Sequence, residues 1–174
     1  MTRRYVTIVA DPPWRFSDAL PGKGRGAGRH YSTLRPLEIA AAYDVPQLAA
    51  DDARLFLWRV SALQEDALRV MRIWGFTPKA EIVWLKKTRT GKHWFGMGRQ
   101  VRNAHEVCLI GTRGQPERLS ASVRSIFEAP YTGRHSGKPE VFFDLVEALS
   151  PGPYLELFAR ERRRGWRALG LEVD

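Results

Sequence analysis

A chain of 174 residues, 44% hydrophobic and 27% charged, has the length and composition of one globular domain spanning residues 1–174; general disorder is excluded, and a single cysteine, Cys108, excludes a disulfide scaffold. No apolar run approaches the roughly 18 residues of a membrane helix, and the apolar part of MTRRYVTIVAD is too short for a secretory signal, so a cytoplasmic protein with no membrane partner is expected. Lys and Arg number 28 against 19 Asp and Glu, a net charge of +9 that points to a polyanionic partner, nucleic acid foremost.

Along the chain, Tyr5 to Ala10 (YVTIVA) is a β-branched run that predicts a buried strand, closed by Asp11 and two prolines that cannot donate to a ladder. Phe16 to His30 is a Gly-rich stretch predicted to be a long active-site loop. Pro36 opens a short helix, PLEIAAAY, and a second short helical piece is expected over Val45 to Ala50. Leu55 to Trp58 predicts a strand. Leu63, Ala67, Val70, Met71 and Trp74 recur at three and four residues and predict a helix over Ala62 to Trp74, ended by Gly75. Strands are expected at Ala80 to Leu85 and Glu106 to Gly111, separated by a basic loop, and a short edge strand at Ser125 to Ala129. Lys138 and Pro139 start a helix with Phe142, Leu145, Val146 and Leu149 on one face; strands follow at Tyr154 to Ala159 and Trp166 to Leu169. Strands alternating with helices predict an α/β fold with a mainly parallel sheet.

Basic residues cluster in three places. From Ile82 to His105 there is no acidic residue, and Lys86, Lys87, Arg89, Lys92, Arg99 and Arg102 are interleaved with His93, Trp94 and Phe95. Cations there suit phosphates and aromatics suit bases. The other clusters are Lys23, Arg25, Arg29 and Arg35, and Arg160, Arg162, Arg163, Arg164 and Arg167. Composition alone is met equally by a protein that merely happens to be basic, but three separate clusters favour nucleic acid.

Open α/β sheets bind ligands at the carboxyl ends of their strands, and two such ends are chemically loaded. Asp11-Pro12-Pro13-Trp14 offers a carboxylate, carbonyls on a rigid backbone and an aromatic face. Asp11 and the Pro12 carbonyl can accept both hydrogens of an exocyclic amine, which favours a pyramidal nitrogen and aims its lone pair at an electrophile. The alternative is a proline-rich turn without chemistry. Glu156 lies inside a predicted buried strand with Arg160 at its end, an arrangement that, taken alone, is better read as a core strand with one ion pair. Lys138 sits at a helix start, where the dipole disfavours a cation unless an anion is bound. His30, His93, His105 and His135 lack metal-ligand spacing, so no metal is expected. Cys108 reads as a core residue. No G-x-G-x-x-G follows a strand, and GKGRGAG at Gly22–Gly28 lacks the G-K-[ST] ending of a phosphate loop.

These units in this order resemble the DPPW-type N6-adenine methyltransferases, the family of the catalytic subunit of the eukaryotic messenger-RNA adenosine methyltransferase, and are similar to its short bacterial and phage members. The matching pieces are VADPPW (Val9–Trp14), LFLW (Leu55–Trp58), WGF (Trp74–Phe76), EIVWLK (Glu81–Lys86), HEVCLIGTRG (His105–Gly114), HSGKPE (His135–Glu140) and SPGPYLELFAR…GW (Ser150–Trp166). The resemblance implies a Rossmann-like fold, S-adenosylmethionine as cofactor, and a permuted order with the catalytic motif first and the cofactor strand last. It implies catalytic roles for Asp11, Pro12, Pro13 and Trp14. Asp11, Lys138, Glu156, Phe158, Arg160 and Glu172 would bind cofactor, Lys138 through the methionine carboxylate. Trp14, Tyr31 and Glu106 would line the base pocket. Gly170-Leu171-Glu172 stands where the family often shows G-N-Q or G-N-E, so one cofactor contact is not carried over. The expected substrate is nucleic acid, DNA rather than RNA, with a single strand or an unstacked base as the reactive form, short or relaxed sequence specificity, and a homodimer compatible with this reading. The alternatives are an RNA adenosine methyltransferase, a non-catalytic nucleic-acid-binding subunit on the same fold, and a cytosine-amine methyltransferase.

Overall fold

The computed structural model describes residues 4–15, 34–98, 100–131, 137–170 and 173. Its elements run β1 (Tyr5–Ala10), α1 (Pro36–Ala42), α2 (Val45–Leu48), β2 (Ala49–Arg59), one 3-10 turn (Ser61–Leu63), α3 (Gln64–Ile73), β3 (Thr77–Lys87), β4 (His105–Arg113), β5 (Ile126–Pro130), α4 (Glu140–Leu149), β6 (Tyr154–Leu157) and β7 (Trp166–Leu169).

Among the described residues the strands form one sheet in the order β5-β3-β4-β2-β1-β6-β7. β1 pairs in parallel with β2 and β6, β6 with β7, and β3 with β5. β4 runs antiparallel to both neighbours, β2 and β3. Every strand but β4 therefore points the same way, and the start of β4 lies beside the ends of the others. The interior position of β1 follows from its β-branched, largely apolar run, since a strand covered on both faces has no side to give to water.

Side chains of a strand alternate between faces, and the core divides accordingly. Ile8, Ala10, Leu55 and Leu57 pack with Ile39 of α1 and Ala67, Val70 and Met71 of α3. Val9, Phe56 and Trp58 pack on the other face with Ile82, Trp84, Cys108, Ile110 and Phe127, beneath Phe142, Phe143 and Val146 of α4. The result is a sheet covered by helices on both faces, a Rossmann-like α/β fold.

Several boundaries differ from the sequence expectation for local reasons. β2 starts at Ala49 rather than Leu55. Its first half, AADDAR, has weak strand propensity, but Ala49 and Ala53 are buried, and the ladder with β1 is irregular between Tyr5 and Thr7. α3 begins only at Gln64, after the 3-10 turn, and Gly75, at φ 83°, supplies the left-handed residue that ends it. β6 stops at Leu157 because Phe158 adopts φ 59°, a left-handed conformation costing about 1–2 kcal/mol for a residue with a Cβ.

Candidate active site

The sheet's direction decides which residues meet. Asp11 follows the end of β1, and its backbone N–H reaches the Leu157 carbonyl at the end of β6. Trp58 is next to last in β2 and Lys86 next to last in β3. Glu106, because β4 is reversed, stands at that same edge opposite Trp84. Lys138 immediately precedes α4 and its Pro139 cap.

These side chains converge on the α4 face of the sheet. The Lys138 ammonium donates to Asp11 Oδ2 at 2.7 Å and lies 3.3 Å from Glu106 Oε2. It also sits 4.9 Å from the centre of the Trp58 ring. Glu106 Oε1 is 2.5 Å from the Lys86 ammonium. The Lys138 side chain is 8% exposed, Asp11 18% and Glu106 32%, so the chain of alternating charges Asp11, Lys138, Glu106, Lys86 is largely withdrawn from water but reachable at Glu106. Burial works against the Lys138 ammonium, yet Asp11 and then Glu106 more than offset it and hold its pKa above the ordinary lysine value. Burial likewise opposes ionised Glu106, and Lys138 and then Lys86 reverse that, holding its carboxyl below the usual range. Asp11 and Glu106 are thus two anions beside Lys138 at the helix start.

The D-P-P-W turn is held rigidly. The Trp14 N–H donates to the Pro12 carbonyl at 2.9 Å, and the Leu34 N–H to the Pro13 carbonyl at 2.8 Å. A carbonyl has two lone pairs, so Pro12 retains one for a second donor. The Trp14 indole is 5% exposed, packed in the core with its N–H donated to the Trp58 carbonyl at 2.9 Å. In this geometry it anchors the turn, and the open ring face expected for stacking is not presented.

At the end of β6, Glu156 projects toward the α4 side, and burial lifts its carboxyl to about 7 against the partial counter-effect of Arg163. Phe158 lies at the strained residue that follows, its ring edge-on to Tyr43 at 5.0 Å. Tyr31, Lys23, Arg25, Arg29, Arg99 and Glu172 lie outside the described residues.

The basic clusters divide. Lys86 is paired with Glu106, and Lys87 with Glu128 at 3.1 Å. Arg89, Lys92 and Arg102 are exposed, with Arg102 5.0 Å over the exposed Phe95 ring. Arg163 contacts Glu140 and stacks 3.6 Å over Phe143, and Arg162 donates to the Val173 carbonyl, so part of the C-terminal run is spent internally. Sequence reasoning missed Trp58, Trp84 and Tyr131 as walls of the site. Their only signal is that each ends, or nearly ends, a strand at the loaded edge. Among the described residues no group of three His, Cys, Asp or Glu side chains is placed to hold a metal ion, and no helix is long and apolar enough to cross a membrane.

A helix-covered sheet with the D-P-P-W turn at the end of an interior strand and a cation joining two carboxylates beside it is a Rossmann-like domain of the kind that the resemblance to DPPW-type methyltransferases implies. The sequence model of the MT-A70 family matches residues 5–172, and the chain belongs to that family. It is 30% identical over 182 residues to the N(6)-adenosine-methyltransferase catalytic subunit METTL3 of Homo sapiens, covering 98% of this chain and 28% of the relative. The same identity and length relate it to the N(6)-adenosine-methyltransferase MT-A70-like protein of Drosophila melanogaster, 27% of which is covered. It is 28% identical over 191 residues to the type II methyltransferase M.MunI of Mycoplasma sp, covering 78% of that protein. The chain thus spans about a quarter of the length of the METTL3-type relatives it matches.

Proposed function

We propose that this chain transfers a methyl group from S-adenosylmethionine to the N6 amine of adenine in nucleic acid, with DNA the favoured polymer. The observation that carries the reading is the buried Lys138 bridge between Asp11, at the end of β1, and Glu106, at the start of β4. It sets two carboxylates against one buried cation at the edge where the family resemblance expects the target amine. Coverage of 78% of a type II methyltransferase supports DNA as substrate.

The side chains at the edge suit the cofactor: a cation, Lys138, for its carboxylate, the carboxyls of Asp11 and Glu156 for its ammonium, and the ring of Phe158 beside the end of β6. Arg160 follows on the same strand end. S-adenosylmethionine supplies a methyl group made electrophilic by its sulfonium. Asp11 and the free lone pair of the Pro12 carbonyl accept the two amine hydrogens and hold the nitrogen pyramidal. Held there, the cofactor would give up that methyl group to the nitrogen, its sulfur leaving as the neutral thioether. The alkylated nitrogen is then acidic and gives a proton to a carboxylate of the pair or to water. No base with a raised pKa is required.

The target base must leave the duplex or arrive in a single strand. The exposed Arg89, Lys92 and Arg102 of the β3–β4 connection, with Phe95, suit the flanking phosphates and bases. Such a contact set reads backbone more than base edges, which fits short or relaxed specificity, and a nucleic-acid substrate fits a cytoplasmic location in a bacterial or phage-infected cell.

Incubation with labelled S-adenosylmethionine and random single-stranded DNA, duplex DNA or RNA, followed by nucleoside analysis, tests this. N6-methyladenine is the expected product, highest on single-stranded DNA. Dominant transfer to RNA would reassign the polymer. Binding of cofactor and polymer without transfer would make the chain a non-catalytic subunit.

A further inference from the structure

Lys86 belongs by composition to a basic loop, yet its side chain is 13% exposed and faces inward. Three things hold it there. The backbone is pinned, its N–H donating to the Ala104 carbonyl at 2.8 Å and its carbonyl accepting the Trp94 N–H at 2.9 Å. The ammonium is boxed by aromatic faces, 5.0 Å from the Trp84 ring centre and 4.5 Å from that of Tyr131. Finally, it pairs with Glu106 Oε1 at 2.5 Å. The register explains the meeting: Trp84 lies opposite Glu106 across the β3–β4 ladder, and Lys86, two residues on, is the diagonal neighbour on the same face. Each oxygen of Glu106 thus has its own cation, Lys86 on one and Lys138 on the other.

We propose that Lys86 is a positioning residue for methyl transfer, fixing the Glu106 carboxylate in orientation and charge beside the amine site, and is not a phosphate contact. This rests on the function proposed above. Lys138 alone is shared with Asp11 and leaves Glu106 free to rotate about its χ angles; the second cation, itself immobilised by two rings, removes that freedom. A carboxylate so held is in place, without reorganising first, to take the proton that the alkylated amine gives up.

The test compares Lys86→Met, which keeps the aliphatic stem, with Lys86→Arg, which keeps the charge. The charged groups facing Glu106 are Lys86 from β3 and Lys138 from ahead of α4, with Asp11 behind the latter. Loss of Lys86 should raise the Glu106 carboxyl pKa by about one unit, read by carbon-13 NMR of labelled glutamate with Glu106→Gln for assignment; Lys86→Arg should leave it low. In methyl transfer, Lys86→Met should lower kcat about tenfold, move the acid limb of the rate profile upward, and leave the polymer KM and its salt dependence within about twofold. A Glu106 titration unmoved by Lys86→Met overturns the proposal whether or not the chain methylates anything. A loss confined to polymer KM, with a shallower salt slope, overturns it in favour of a phosphate contact. An unmoved kcat with a shifted titration also overturns it. Absence of methyl transfer by the native chain, with the titration shifted as expected, would instead contradict the proposed function.

Discussion

Glu156 is the one acidic side chain in the strand YLEL, and burial lifts its carboxyl to about 7, with Arg163 lowering it and Asp11, Glu140 and Glu161 raising it in turn. Its folded pKa lies above the unfolded value, so between the ordinary carboxylate range and pH 7 the native state binds more protons than the unfolded state. Stability is therefore lost as pH rises through that window, by at most about 1.4 kcal/mol for each pH unit. Melting curves from about pH 5 to about pH 8 should show the native chain falling relative to Glu156→Gln. A constant difference between the two across that range would mean that Glu156 titrates normally. Neighbouring Lys138 shows the opposite arrangement: with two carboxylates in contact, its buried charge is retained. The sequence alone marks Lys138 as misplaced at a helix start, which is how a cation serving a site rather than a helix becomes visible.

At the scale of elements, legibility tracks how far each strand's identity depends on itself. β1 and β7 take the limits their apolar runs predict, Tyr5–Ala10 and Trp166–Leu169. β2 extends into AADDAR because β1 pairs with Ala49 and Arg54 and β4 with Ala53 and Arg54, a tertiary gain that propensity cannot show. β6 ends at Leu157, short of the expected Ala159, because Phe158 is left-handed, a conformation that no sequence signal announces for a phenylalanine. Composition alone reads the β3–β4 connection as uniformly basic, and the ladder separates it: Lys86 and Lys87 still belong to β3 and are paired, whereas Arg89, Lys92 and Arg102 lie beyond it and are exposed. Replacing those three by glutamine should weaken polymer binding at low salt and lower the magnitude of the salt slope by about 1 for each phosphate no longer neutralised. Filter binding over a salt series reads this directly, and an unchanged slope would remove the connection from the nucleic-acid interface.

Across the whole molecule, net charge is a coarser guide than topology. Of the cations behind the +9, Arg54 donates to the carbonyls of Glu117, Leu149 and Pro116, Arg163 to Glu140, and Lys138 and Lys86 to the site's carboxylates. These hold the fold or the site and contribute little outward field. What gathers the site is the reversal of β4. In a wholly parallel sheet its first residues would lie at the far edge, and Glu106 would be a strand length from Asp11. The sequence displays Asp11 and Lys138 by their motifs, but the meeting of Glu106 with both lysines depends on a strand direction and a register that no local pattern encodes. Both carboxylates then face the place where a base amine is expected, and Asp11, just past the end of β1, is the one that the rigid D-P-P-W turn fixes. The most direct test is the single-turnover rate of methyl transfer to an adenine-containing single strand by Asp11→Asn at saturating S-adenosylmethionine. The substitution keeps shape and removes charge. The rate should fall about 100-fold or more, with polymer affinity unchanged; a rate within a few-fold of the native chain would contradict the assignment of Asp11 as the group that grips the amine.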